Sequence, residues 1–290
     1  MTRASVVGML VAAEVAIVGL AIYAAGHGGA SFSSGIHRAE FDAVSIAPVA
    51  AGPAPHVVID DADSRVIVGV SNDELVHVRD LTQLRGAVYS DGPYPRLQVA
   101  RTSEGVRIER PHVGRFSIDI FGFSVQRIEV DVPPHSGVEI ARCAGAEVDG
   151  VLGGTSVNSV DGHVTLENVN GSVDARSDDG RIVLGNVAAS SLVAQTHNGR
   201  IEASNLSVTG DSTVHTDDGP IALGLAPNSN LTIDAATNDG RISVDGDSFD
   251  GDGSAQRTIR VGSGNQRMKL TTADGSIRIF TNGESETHGL

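Results

Sequence analysis

The residues with the clearest chemical potential are the carboxylates of Asp245-Gly246-Asp247-Ser248-Phe249-Asp250-Gly251-Asp252-Gly253. Asp245, Asp247, Asp250 and Asp252, with glycines that let the backbone curl, offer hard oxygen ligands of the kind Ca²⁺ takes and form a candidate calcium site. The spacing departs from the known calcium loops. Phe249 stands where an EF-hand places its fifth-position ligand, no Glu follows at the required distance, and the GGxGxDxUx repeat of calcium-stacked β-rolls is missing. A solvated acidic loop accounts for the same residues without an ion, so the chain needs no cofactor.

Enzymatic chemistry finds less support. Polysaccharide lyases and hydrolases built on β-helices use paired carboxylates or a base beside calcium, usually with aromatic platforms for sugar rings. This chain has no tryptophan, Lys269 is its only lysine, and Tyr23, Tyr89 and Tyr94 lie outside the regular repeats described next. His163, His197 and His215 occupy unrelated repeat positions, and no His-x-x-x-His pattern occurs. The residues therefore point to a non-enzymatic protein, with a lyase or hydrolase acting through Asp245 or Asp247 as the alternative.

The elements that would position these groups are written in a repeat, [Ser/Thr]-x-[Asp/Asn]-Gly-x-[Val/Ile], centred on Gly162, Gly180, Gly199, Gly219, Gly240 and Gly275. A hydroxyl precedes each glycine by three residues (Ser159, Ser177, Thr196, Thr216, Thr237, Thr272), and Val164, Ile182, Ile201, Ile221, Ile242 and Ile277 follow by two. The first five glycines are 18, 19, 20 and 21 residues apart, the length of one β-solenoid coil. Period-two apolar positions flank each Asp-Gly, which is expected to supply a positive-φ turn between strands. Stacked coils about 4.8 Å apart would turn the Ile/Val columns into buried ladders and the Ser/Thr column into a chain of hydroxyl hydrogen bonds. Asp161, Asp179, Asn198, Asp218 and Asp239 would line one edge, with Asp178 and Asp217 beside them and Arg181, Arg200 and Arg241 as counter-charges. An antiparallel sandwich with Asp-Gly hairpins is the alternative.

The expected fold is thus all-β: a single-stranded, β-helix-like solenoid of about 18–21 residues per coil, preceded by an N-terminal transmembrane or signal helix. Residues 1–25 would be the anchor or signal segment, 26–55 a flexible linker, 56–140 irregular β-rich layers, 141–282 the repetitive solenoid and 283–290 a tail. The apolar run from Ala4 to Ala25 can cross a bilayer about 30 Å thick. Arg3 precedes it and no base follows until Arg38, which places the remainder outside the cytoplasm, or secreted if the run is cleaved. Glu14 breaks the run and offers a contact to a membrane partner, or is a tolerated acid. A second partner candidate is the Phe-rich segment with Phe116, Phe121 and Phe123, whose alternative is a strand capping the core. The net charge of −15 repels nucleic acid, and the single cysteine, Cys143, excludes an intrachain disulfide.

A strand ending in Val132-Pro133, a short turn, the repeated glycine coils and Gly262-Ser263-Gly264 before Lys269 to Ile279 give the chain a further likeness. Over residues 128–280 it resembles the bacterial putative-adhesin, or toastrack-type, β-strand repeat family. The resemblance implies an extracytoplasmic β-repeat protein at the bacterial cell envelope, often tethered by a membrane helix, that binds an envelope protein or surface polymer. Some relatives belong to envelope stress-response systems, which makes a sensor acting through a membrane partner the alternative function. The family brings no catalytic residues to transfer.

Overall fold

The computed structural model describes residues 35–90, 95–111, 118–249 and 253–281. Within these, alternation of β-branched and polar residues produces strands throughout. The first third contains β1 (Gly35–Phe41), β2 (Val44–Ala50), β3 (His56–Asp60), β4 (Arg65–Val70), β5 (Leu75–Asp80), β6 (Gln83–Ser90), β7 (Gln98–Arg101), β8 (Gly105–Glu109) and β9 (Ile118–Val125). Next come β10 (Arg127–Val132), β11 (Gly137–Cys143), β12 (Gly145–Asp149), β13 (Thr155–Ser159), β14 (Val164–Glu167), β15 (Asn170–Ser177), β16 (Ile182–Gly185), β17 (Ala188–Thr196) and β18 (Ile201–Val208). The chain continues through β19 (Ser212–Asp218), β20 (Ile221–Leu225), β21 (Leu231–Asp239), β22 (Ile242–Val244), β23 (Asp247–Phe249), β24 (Ala255–Val261), β25 (Gln266–Asp274) and β26 (Ile277–Phe280).

The two strands beside each repeat glycine do not form an antiparallel hairpin; the pair that is in register, β17 and β18, runs in parallel, Ala188 and Ala189 against Ser207 and Val208. Each pairs in parallel with its equivalent in the neighbouring coil, so the coils stack as two facing layers. Layer one runs β2-β5-β10-β4-β12-β14-β16-β18-β20-β26-β22-β23. Layer two runs β7-β8-β3-β11-β13-β15-β17-β19-β25-β21-β24. The interior pairings are parallel; antiparallel strands close every end, with β2 and β5 or β23 on layer one and β7 or β24 on layer two. This blunts the edges at which open sheets associate.

One continuous core lies between the layers. Val164, Ile182, Ile201, Ile221, Ile242 and Ile277 are all buried, as are Val157, Ala175, Ala194, Val214, Ala235 and Leu270 facing them. Each fully buried Ile or Leu contributes about 1.5–3 kcal/mol, and its ladder neighbours above and below belong to the adjoining coils, so a single coil has no independent stability.

Three expectations need correction. Residues 35–50, read as linker, form β1 and β2: β2 pairs with β5, and β1 joins β6 and β9 in a separate three-stranded antiparallel sheet. Small residues masked the alternation there, yet Ile46 and Val49 pack on the core. Secondly, the coils do not stack in chain order. The coil of Gly275 lies between those of Gly219 and Gly240, because β25 and β26 pair on both sides. The 35-residue spacing from Gly240 to Gly275 lets the chain turn back through β23 and β24 and re-enter the stack.

Thirdly, none of the six repeat glycines has a positive φ. Their requirement is steric. A methyl group on Gly180 would stand 1.9 Å from the Gly162 carbonyl oxygen, and the distances for Gly199, Gly219, Gly275 and Gly240 to their preceding glycines are 2.1, 2.2, 2.1 and 2.0 Å. The hydroxyl column likewise does not bond to itself. Thr196 Oγ1 donates to Gly180 O at 2.9 Å, Thr216 Oγ1 to Gly199 O at 2.9 Å, and Thr272 and Thr237 to Gly219 O and Gly275 O at 3.0 Å.

Left-handed residues occur at the other corner. Asn168, Asn186 and Asn205 have φ of 53°, 52° and 52° and form a ladder: Asn205 Nδ2 donates to Asn186 Oδ1 at 3.0 Å, Asn186 to Asn168 at 3.3 Å, and Asn168 to Asp149 at 2.7 Å. Asparagine tolerates this conformation, whereas a Cβ without a local hydrogen bond costs about 1–2 kcal/mol there. Asn186→Ala is therefore expected to lose about that amount and Asn186→Gly distinctly less, measured by thermal unfolding. Equal losses for both would assign the cost to the side-chain bonds instead of the backbone.

Candidate binding surface

The acidic loop is divided by the fold. Asp245 has a φ of 47°, and its carboxylate accepts Thr281 N at 2.7 Å and Thr281 Oγ1 at 2.6 Å, tying the last described residue to the terminal coil. Asp247 is exposed in the β22–β23 hairpin. Asp250 and Asp252 lie outside the described residues, as do Glu14, the Ala4–Ala25 segment, Phe116 and the tail. Among the described residues, no group of three or more His, Cys, Asp or Glu side chains is arranged to hold a metal, and no helix is long and apolar enough to cross a membrane. Phe121 and Phe123 belong to β9, in register with Ala87 and Arg85 of β6.

Along the stacked edge, Asp218 and Asp239 each pair with Asp274, which takes the place in the column that chain order assigned to Asp239. Asn198 donates to Asp179 and relieves one carboxylate contact. His197 and His215, which the sequence placed in unrelated positions, meet on one acid: Asp217 lies 3.2 Å from His197 Nε2 and 3.1 Å from His215 Nε2. The expected neutralisation of the edge by arginine differs from what is observed. Arg181 and Arg200 both turn to Glu202 on the outer face of layer one, Arg200 at 3.0 Å. Burial alone would raise the Glu202 pKa, but the hydrogen bonds from Arg181 and Arg200 outweigh it and hold the carboxyl below its ordinary value of 4.5. A depressed acid contributes stability above its unfolded pKa and loses it as pH falls through the folded one. Glu202→Gln should therefore lower stability at neutral pH, and the gap from the parent should close in acid. A constant gap across the titration would refute this.

The hydroxyl column continues into the N-terminal coils with different chemistry. Cys143 pairs with Ser159, Arg142 beside it with Asp60, and Glu109 with Asp60, which sets Arg110, Asp61 and Cys143 in line with the serines and threonines. Arg110 Nε donates to Asp61 at 2.7 Å, and its Nη2 to both oxygens of Asp80 at 3.1 Å; the three side chains are 4%, 2% and 3% exposed. Ser64 Oγ and Thr82 N also donate to the two carboxylates, at 2.8 and 3.1 Å, while Arg110 Nη1 donates to Pro95 O at 2.9 Å. Cys143 is fully buried, and desolvation raises its thiol pKa, so the group is inert.

The outer surface of layer two carries a groove of about 570 Å³ across β17, β19, β25, β21 and β24. Val193, Thr213 and Ala236 contribute short, half-buried side chains, and Asp211, Gln256, Arg267 and Lys269 stand exposed around them. Among the described residues, no aromatic side chain lines it. Thr271, at one side of the groove, has its Oγ1 2.8 Å from His215 Nδ1, and His215 Nε2 lies 3.1 Å from Asp217, so one hydroxyl is in line with an imidazole and a carboxylate. The rest of the lining offers charges, amides and hydroxyls.

A stack of glycine-centred coils, two parallel layers and antiparallel end strands is matched by the model of a known family, described as Toastrack DUF4097, over residues 115–280. The chain belongs to that family. The match begins upstream of the resemblance seen in the sequence and takes in β9. Among solved structures, the toastrack chain is similar to a putative adhesin from Bacteroides fragilis NCTC 9343, with 14% identity, TM-score 0.47, and coverage of 84% of this chain and 100% of that one. A putative adhesin from Parabacteroides merdae ATCC 43184 gives 12% identity, TM-score 0.41 and coverage of 83% and 94%. A putative cell adhesion protein from Clostridium sporogenes ATCC 15579 gives 8%, 0.31, and 85% and 99%. No curated protein matches the sequence.

Sequence reasoning missed the groove, the Asn ladder and the Arg110 cluster of this toastrack domain. The signal for the first was Arg267 and Lys269, two apart in an otherwise alternating strand. Asn168, Asn186 and Asn205, spaced like the coils, announced the second. The third joins residues 30 and 49 positions apart and had no local signature.

Proposed function

We propose that this toastrack protein works by binding, not by turnover: it is an extracytoplasmic bacterial protein, held at the cytoplasmic membrane through Ala4–Ala25 or secreted if that run is cleaved, that presents the lateral faces of its stack to a surface polymer or envelope protein. The observation that carries this reading is the division of side chains. One unbroken aliphatic core occupies the interior, while the outer faces hold mainly polar and charged residues in fixed register, with a few half-buried apolar ones such as Ile67, Val183 and Val193 among them. Such a face is pre-organised, so little ordering entropy opposes recognition. Family membership and the apolar N-terminal run support the location.

Two measurements test it. Alkaline phosphatase fused after Leu290 is expected to be active in intact cells, and inactive when residues 4–25 are deleted. The purified full-length protein in non-ionic detergent should be retained by a panel of immobilised cell-surface polymers. Phosphatase activity that is absent from the full fusion would overturn the location, and the absence of retention on any polymer or envelope protein would overturn the binding role.

A further inference from the structure

The bases on the outer face of layer two divide into two groups. Toward the N-terminal end each has its own acid: Arg107 lies 2.8 Å from Glu109, Arg142 2.8 Å from Asp60 and Arg176 2.8 Å from Asp174. In the groove the pattern stops. The side chains of Arg267 and Lys269, both exposed, make no hydrogen bond or ion pair with any described residue. An acid is available next door, since Lys269 is in register with Asp234 on one side and Thr213 on the other. Asp234 instead accepts Thr258 Oγ1 at 2.7 Å. The result is two cations without an ion-paired or hydrogen-bonded partner among the described residues on one strand face, about 7 Å apart along β25, in a chain whose net charge is −15.

From this juxtaposition we infer that the groove binds an acidic polysaccharide, with Arg267 and Lys269 receiving carboxylate groups and the surrounding polar side chains receiving ring hydroxyls. This rests on the surface-binding reading above and names its ligand class. The chemistry of the lining selects among anions. Nucleic acid would require stacking platforms, and among the described residues no aromatic side chain lines the groove. A polyphosphate would bring its dense charge against Asp211 and Asp234, which flank the cations. An acidic peptide would need deep apolar anchors, where the floor offers only Val193 and Ala236 as half-buried apolar residues. A uronic acid polymer alternates sparse carboxylates with many hydroxyls. That pattern matches cations interspersed with Thr213, Gln256 and acceptor carboxylates.

The test uses the full-length protein in non-ionic detergent and three immobilised probes: polygalacturonate, neutral dextran and inorganic polyphosphate. Saturable, salt-sensitive binding to polygalacturonate is expected, with weaker binding to polyphosphate and none to dextran. The Arg267→Gln/Lys269→Gln variant should bind polygalacturonate about tenfold more weakly or worse, while Arg278→Gln, an exposed base on layer one, should bind as the parent does. Unchanged thermal unfolding of both variants excludes loss of fold as the cause. Undiminished binding by the double variant, tighter binding to polyphosphate, or no binding to polygalacturonate would each overturn the inference. Retention on dextran that the double variant preserves would overturn it and leave the surface-binding reading intact; only failure on every polymer and envelope protein removes both.

Discussion

Gly199→Ala is expected to lower stability by about 3 kcal/mol, a fall of roughly 6–12 °C in Tm, although it adds one methyl group to a strand-rich protein. The added carbon would stand 2.1 Å from the Gly180 carbonyl oxygen, well inside contact distance, and the obstructing atom is backbone that cannot rotate away. The same carbonyl accepts the Thr196 hydroxyl, so any retreat also stretches a buried cross-coil hydrogen bond. The neighbouring coil fails with it. Gly185→Ala provides the comparison, because its methyl would meet Glu167 Cγ at 3.5 Å, an ordinary contact, and its φ is not left-handed. That change should lie within about 0.5 kcal/mol of the parent, on the stabilising side if the unfolded chain loses freedom. Chemical and thermal unfolding of both variants decide the matter. Equal effects at the two glycines would mean that the steric column is not what fixes the repeat.

Removal of the Arg110 side chain has a comparable effect for a different reason. Arg110→Met keeps most of the volume and deletes the cation that bridges two carboxylates that are almost wholly buried. Breaking a buried pair from one side costs about 3–5 kcal/mol, because the desolvated partner remains without its counter-charge. Here two partners remain. Ser64 and Thr82 retain their hydrogen bonds to Asp61 and Asp80 but carry no charge to offset them. A second substitution, Asp61→Asn in the Arg110→Met background, should therefore cost much less than Asp61→Asn alone. Denaturant unfolding of the four proteins in that cycle measures the coupling. Strict additivity would show that the cluster is a set of independent contacts.

These two sites mark how far the sequence could be read. The interior of the stack was legible because every coil meets the same surroundings: Val164, Ile182, Ile201, Ile221, Ile242 and Ile277 recur in one column and are all buried. That same uniformity concealed the order of the last coils. Gly240 and Gly275 carry interchangeable neighbours, so either arrangement satisfies the hydrophobic pattern, and the choice rests on the long excursion between them. The Asp-Gly pairs invited a local explanation through backbone conformation, whereas the glycine is demanded by a carbonyl one coil away. Arg110 follows Glu109 at the end of an unremarkable strand, and only the pairing of β8 with β3 brings it to Asp61. For the binding surface, the acidic loop drew attention through its density of charge. The two groove cations were visible, but their lack of partners depends on where Asp234 turns.

The re-entry of β25 and β26 between earlier strands has a consequence for biosynthesis and for descent. The segment that completes the seam between the Gly219 and Gly240 coils follows both of them in the chain, so β21 and β22 cannot take their final neighbours until residues up to about 280 exist. Completion of the stack thereby waits on β25 and β26, and a chain cut short after β24 leaves an open seam in place of a shorter stack. Lengthening follows the same logic. A coil duplicated next to β21 and β22 meets the antiparallel β23 and β24 that close that side, whereas the run between β12 and β20, where chain order and spatial order coincide, can take in a new coil without changing the path of the chain.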